Sequence, residues 1–125
     1  MRKKSVIVVG SHFSGKSLTI NKHLKPLLNI KEHAHIFSPP GKKGFVLSQS
    51  SEESGKDVEK LIEKYAHFDL FVLASRPETD ERSNFKATRA ALEKASFLVY
   101  VVVVHARNEA PAKAKEILKL LNEEP

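Results

Sequence analysis

The chain of 125 residues contains no cysteine and no tryptophan, one methionine and few aromatics, nine in all as two Tyr and seven Phe. Without cysteine, neither a disulfide framework nor a thiolate metal site can form. Long apolar runs are also missing: the longest, from Phe97 to Val104, is eight residues, too short to cross a bilayer. No secretory signal is expected, because Met1-Arg-Lys-Lys-Ser leads directly into the brief run Val6 to Val9. The expectation is a cytoplasmic protein without a membrane partner. Acidic residues are scarce at one end. Residues 1–43 hold nine Lys or Arg against the single acid Glu32, a charge of +8, while residues 44–125 hold twelve against fourteen, −2, summing to +6. A basic half of this kind suits either a polyanion, nucleotide phosphate or nucleic acid, or an ordinary solvated face.

What is present is an alternation of β-branched runs with amphipathic stretches, compatible with one domain over residues 1–125. Ser5 to Val9 fits a buried parallel strand ending at Gly10. A helix should follow from Lys16 to Lys25, with Leu18, Ile20 and Leu24 inward, and Pro26 should stop or kink it. Between 29 and 51 two short β-like runs, His35 to Phe37 and Phe45 to Leu47, flank a Pro- and Gly-rich turn, as in a hairpin or a strand plus ordered loop. Ser50 with Glu53 forms a capping-box pattern for a helix bearing Val58, Leu61, Ile62 and Tyr65. Leu70 to Ala74 is a further strand. Asp80 or Ser83 can cap a third helix with Phe85, Thr88, Leu92 and Ala95 on one side. Phe97 to Val104 has the composition of a central strand buried on both faces. Pro111 suits the first turn of a last helix carrying Ala114, Ile117, Leu118 and Leu121. The expected fold is α/β: a small three-layer sandwich on a mostly parallel sheet of about four strands, with right-handed crossovers.

The segment Gly10-Ser11-His12-Phe13-Ser14-Gly15-Lys16-Ser17 matches G-x-x-x-x-G-K-[ST] at every fixed position, between an expected strand and an expected helix. Such a match arises by chance on the order of once in a few hundred chains of this length. Glycines allow backbone amides to converge on an anion, and the start of the next helix adds partial positive charge. The alternative for such a turn is a tight connection that holds only a stray anion. On this motif the chain resembles the P-loop NTPase superfamily, over Ser5 to about Leu24 and more loosely beyond. The resemblance implies ATP or GTP with Mg²⁺ as cofactors. Gly10 to Ser17 and Leu18 would form the nucleotide site, Lys16 would contact the β- and γ-phosphates, and Ser17 would ligate Mg²⁺.

The pattern then departs from the family. Hydrolysing members carry an acid at the carboxyl end of a neighbouring strand. Here Leu70 to Ala74 ends in Ser75-Arg76, and Phe97 to Val104 in His105-Ala-Arg107. Asp69 lies at the wrong end of its strand, about 20 Å away. Glu78, Asp80 and Glu81 either fold back toward a metal or serve the next helix. Ser75 can hold a metal-bound water or merely end a strand. Arg76 is the candidate for neutralising a transferring phosphate, with a surface ion pair as the alternative. His105 and Arg107 are placed for a base or for an exposed loop, and His12 for a γ-phosphate or for solvent. His33 and His35 lack a third ligand. Lys42 and Lys43 are either a clamp over phosphates or a solvated turn. The guanine-specifying Asn-Lys-x-Asp of small GTPases is replaced by Val104-His-Ala-Arg, and an arginine-rich lid is absent. The expectation is a Mg²⁺-dependent nucleotide-binding protein, a slow NTPase or small phosphotransferase whose site a protein partner completes. The alternative is a non-catalytic phosphate or nucleic-acid module using the basic half, and the unprotected sheet edges of so small a domain suggest a subunit of an assembly.

Overall fold

The structure is a computed structural model that describes residues 3–11, 14–49 and 57–123. Five strands form one mixed sheet: β1 (Lys3–Val9), β2 (Ile36–Phe37), β3 (Gly44–Val46), β4 (Leu70–Ser75) and β5 (Phe97–Val103). Their spatial order is β2-β3-β4-β1-β5, with every neighbouring pair parallel except β2 with β3. The expected four parallel strands are there. The fifth is β2, which hydrogen-bonds back on β3 as one arm of a hairpin. Four longer helices are described, α1 (residues 16–27), α2 (Val58–Lys64), α3 (Phe85–Lys94) and α4 (Ala110–Asn122), the last preceded by a 3-10 turn at Arg107–Glu109.

Alternate side chains of the strands feed two separate cores. Val6, Val8, Val72 and Val102 pack against Ile20 and Leu24 of α1 and Ala114, Ile117 and Leu121 of α4. Ile7, Phe71 and Phe97 pack with Val58 and Ile62 of α2 and Leu92 of α3. The helices therefore lie on both sides of the sheet, as the alternation of elements required. Burial of side chains such as Ile7 and Val8, fully removed from water, contributes about 1.5–3 kcal/mol each. On the α2 side Phe45 stacks on Tyr65 at 4.4 Å, and Phe71 meets Phe97 edge-on at 5.1 Å.

Three expectations need correction. First, β5 is an edge strand, not a central one: among the described residues it pairs only with β1, and Val101 and Val103 are 39% and 36% exposed. Its unbroken hydrophobicity suggested two covered faces, but the strand order leaves one flank open. Second, Pro26 does not end α1. The helix begins as an α-turn (Lys16–Leu18), widens to a π-helix (Thr19–Leu24) and finishes as a second α-turn (Lys25–Leu27). In the wide turns the Lys25 N–H reaches the Ile20 carbonyl, five residues back, which opens room for a proline ring beside the preceding turn. The helix stops instead at Asn29, whose φ of 60° lies in the left-handed region. Ile30 N–H then bonds the Lys25 carbonyl and Asn29 N–H the Pro26 carbonyl, the double closure of a Schellman end. Third, α2 is capped by Asp57, whose carboxylate accepts from the amides of Glu59 and Lys60. The Ser50–Glu53 capping box lies outside the described residues.

The buried faces of the last two helices are as expected, Phe85, Thr88 and Leu92 in α3 and Ala114, Ile117 and Leu121 in α4, with Leu118 half-buried. In α1, Ile20 and Leu24 are buried while Leu18 is only partly covered. Among the described residues no helix is long and apolar enough to cross a membrane.

Candidate functional site

β1 delivers the chain to the carboxyl edge of the sheet between β4 and β5, and the loop starts there. Gly10 N–H donates to the Ser75 carbonyl at 3.1 Å, and Val104 N–H to the Val9 carbonyl at 2.8 Å, so the two neighbouring strands hold the Val9–Gly10 peptide unit from both sides. Gly10 has no room for a side chain: a Cβ would lie 2.8 Å from the Val104 carbonyl oxygen and 3.0 Å from Lys16 Cγ, and closer still to Ser14 Oγ. Ser14 N–H turns back to the Ser11 carbonyl at 3.0 Å. Gly15, with φ of 108°, takes a left-handed conformation that strains any other residue, and a Cβ there would press on Arg107 Cα at 3.0 Å. Thr19 secures the first turn of α1, its N–H and its hydroxyl both donating to the Gly15 carbonyl at 2.8 Å.

Lys16 does not reach into solvent. Its side chain folds across the loop, and the residue is only 4% exposed. The ammonium donates to the Gly10 carbonyl at 2.7 Å and lies 3.5 Å from that of Ser11. A charge-assisted bond of this kind contributes about 1.5–3 kcal/mol. Beside it, the buried Ser14 hydroxyl has no hydrogen-bond partner among the described residues, a costly state for a polar group. Ser11 and Ser17 are exposed at the mouth, Leu18 half-buried behind it. His12 and Phe13 lie outside the described residues.

The surroundings sort the other candidates. Arg76 directly follows the strand residue that holds Gly10. Its guanidinium faces Asp80 at 3.8 Å, mostly buried, and its carbonyl accepts from the hydroxyls of Ser75 at 3.0 Å and Ser83 at 2.8 Å. Asp80 also accepts from Arg82 N–H at 2.9 Å, and Glu78 pairs with Lys86 at 3.3 Å. It is the Ser83 hydroxyl that accepts from Phe85 N–H at the start of α3. Arg107 flanks the loop, its Cα lying 3.0 Å from where a Cβ on Gly15 would stand, whereas the His105 and Arg107 side chains are both exposed. Glu109 fixes that segment, one carboxylate oxygen accepting from the amides of His105 at 2.7 Å and Ala106 at 3.1 Å. Those two bonds hold the Glu109 carboxyl below its ordinary range.

Asp69 lies at the opposite end, as expected, accepting from Lys43 N–H at 2.9 Å. That same bond sets Lys43, and with it the adjoining Lys42, away from the candidate phosphate edge. Since β3 runs parallel to β4, the lysines preceding it lie at the amino end of the sheet, and Lys43 sits over the Phe68 ring at 5.1 Å. His35 Nδ1 lies 3.2 Å from the Val46 carbonyl and the ring leans on Phe45. Among the described residues no cluster of three or more His, Asp or Glu could hold a metal.

The structure adds one participant that sequence reasoning missed. Ser17 Oγ donates to the Ser48 carbonyl at 3.4 Å, so the carboxyl end of β3, two strands from β1, meets the candidate Mg²⁺ hydroxyl. No local signal identifies it, because the pairing of β3 with β4 is a long-range event.

The basic half is not one cationic face. Lys3 donates to the Ala66 carbonyl at 2.8 Å and Lys4 to that of Leu120 at 3.1 Å, each near the carboxyl end of a helix. Lys22 pairs with Glu32 at 2.9 Å, and the buried Lys25 donates to the Glu32 carbonyl. With Lys16, five of the nine early cations are engaged internally. Comparison with protein-family models, with curated proteins and with solved structures finds no match to this chain.

Proposed function

We propose that this chain binds a nucleoside triphosphate, ATP or GTP, with Mg²⁺ at the loop of residues 10–17. The observation that carries the reading is the loop itself: two glycines where a Cβ would collide or strain, around a buried lysine ammonium and a buried hydroxyl, Ser14 Oγ, without a partner among the described residues. The residues present fit a polyphosphate. The Lys16 ammonium, now resting on the Gly10 carbonyl, would exchange that neutral acceptor for anionic oxygens, and such bonds are roughly twice as strong. Ser14 Oγ would gain a partner, and Ser17 would give its hydroxyl to the metal. Bound Mg²⁺ supplies charge neutralisation at the phosphates.

Arg76, held by Asp80 next to Gly10, is the residue we assign to stabilising a transferring phosphate. Slow hydrolysis or phosphotransfer follows on this reading, with a protein partner supplying the remaining groups, in the cytoplasm. The alternative of a nucleic-acid module has less to work with, since so many early lysines bond to the protein's own carbonyls.

The test is calorimetric titration of ATP and GTP, each with and without Mg²⁺, on the native chain and on Lys16→Ala. Mg²⁺-dependent binding that disappears in Lys16→Ala is the expected outcome. Undiminished affinity in the variant would sink the assignment. Oligonucleotide binding that weakens steeply with salt, without nucleotide binding, would favour the alternative.

A further inference from the structure

On the α2 side of the sheet, the β2–β3 hairpin lines a cavity of about 580 Å³, within the range of roughly 300–1,000 Å³ typical of small-ligand sites. Its floor is apolar. Ile36 stands directly across the hairpin from Phe45, so the two side chains share a face, and Leu47 and Leu61 extend it. Ile36 is 44% exposed, so the described residues leave this face open. One wall is built of rings. Phe45 lies against Tyr65 at 4.4 Å with 20° between the planes, and His35 leans on Phe45 at 6.0 Å. The helix above sorts its charges by flank. Glu59 and Glu63 line a separate groove between α2 and α3, whereas Lys64 lines the cavity. Lys60, one turn earlier, falls on the Lys64 flank. Among the described residues no acid lines the cavity. The Lys64 ammonium rests over the Tyr65 ring, 5.4 Å from its centroid, a weak contact for an exposed lysine.

We propose that this cavity is a second binding site, for a small planar aromatic anion that packs its ring against the Tyr65, Phe45 and His35 wall and sets its negative group at Lys64. Three features select that chemistry together. The apolar floor takes any hydrophobic body, the ring wall favours a flat aromatic one, and a rim whose charge is lysine alone favours an anion over a cation. A carboxylate or phosphate on a flat ring uses all three. An aliphatic anion forgoes the ring wall, a neutral aromatic forgoes Lys64, and an aromatic cation is repelled by it. The site is separate from the loop of residues 10–17 and does not depend on nucleotide binding there. It nevertheless lies close to that loop, because Leu47 precedes Ser48, whose carbonyl accepts from Ser17 Oγ at 3.4 Å.

Amide NMR shifts of the isotope-labelled full chain test this, with naphthoate titrated beside its neutral isostere naphthamide, the cation naphthylmethylammonium and the aliphatic anion cyclohexanecarboxylate. Naphthoate should shift the amides of Ile36, Lys64 and Tyr65 saturably, with half-saturation at about 1 mM or below. Naphthamide should bind about fivefold more weakly, the difference that one exposed charge pair makes, and the cation and the aliphatic anion should both bind more weakly than naphthoate. In Lys64→Gln, at an exposed position, naphthoate affinity should drop to that of naphthamide while naphthamide affinity stays unchanged. Tyr65→Leu keeps apolar bulk but removes the ring, and should weaken both naphthyl probes. The absence of saturable shifts at these residues, equal affinity for naphthoate and naphthamide, or naphthoate affinity that Lys64→Gln leaves intact would each overturn the proposal. Lys16→Ala should bind naphthoate as the native chain does, which separates this site from the nucleotide assignment.

Discussion

Gly10→Ala tests the proposed phosphate loop most directly, because the added carbon meets backbone as well as side chains. Ser14 Oγ and Lys16 Cγ belong to side chains that can rotate aside. The Val104 carbonyl oxygen, 2.8 Å from the new Cβ, cannot, because Val104 is tied to Val9 by the last bond of the β1–β5 ladder. Either the loop lifts or the end of β5 yields. Overpacking of this kind costs about 1–3 kcal/mol, which in a domain of this size lowers the melting temperature by on the order of 5–10 °C. The displacement falls on the loop that carries Lys16, so nucleotide affinity should fall along with stability. Thermal unfolding followed by circular dichroism, with calorimetric nucleotide titration well below the new midpoint, measures both. Native melting and native affinity in Gly10→Ala would show that the tight approach of Gly10 to Val104 is not what shapes the site.

Two pH-dependent effects follow from the described charges. Burial pushes the pKa of Lys25 below its usual 10.5, against a smaller upward pull from Glu32. Between the lowered folded value and 10.5 the unfolded chain holds the extra proton, so stability rises with pH through that window and levels off above it. Lys25→Met removes this slope, and denaturant midpoints from pH 7 to 10 should show the native protein gaining on the variant; parallel curves would refute it. Glu109 is the opposite case, its carboxyl held below 4.5 by the amides of His105 and Ala106. Its contribution is complete above 4.5 and is lost as pH falls through the lowered folded value. In Glu109→Gln this acid-side dependence should vanish, and the amides of His105 and Ala106 should exchange faster at neutral pH; unchanged exchange would show that the carboxylate does not hold the segment.

The local pattern of the chain was sufficient for the elements whose burial follows a period. The valines of β1, the Phe85-Thr88-Leu92 face of α3 and the Ala114-Ile117-Leu121 face of α4 could be read directly, because spacing alone decides which side chains share a face. The candidate phosphate loop was legible for a related reason: its glycines, lysine and serine are contiguous, and their roles depend on neighbouring backbone. The hydrophobicity of β5 was equally plain, yet it could not reveal whether the strand was central or peripheral. That depends on strand order, which is set by contacts between residues far apart in the chain.

Long-range placement also decided the rest of the site. Lys42 and Lys43 went to the amino end of the sheet because β3 runs parallel to β4, and the carbonyl of Ser48 came to Ser17 because β3 ends at the same edge as β1. Pro26 was absorbed by widening the preceding turns, a solution made possible by the packing of Ile20 and Leu24 on the sheet. By itself, then, the sequence determined the alternating α/β elements, their buried faces and the loop between Gly10 and Ser17. Only the tertiary structure decided which strand lies at the edge, which lysines are engaged and what surrounds the loop, because each of those depends on chain segments meeting across the sheet.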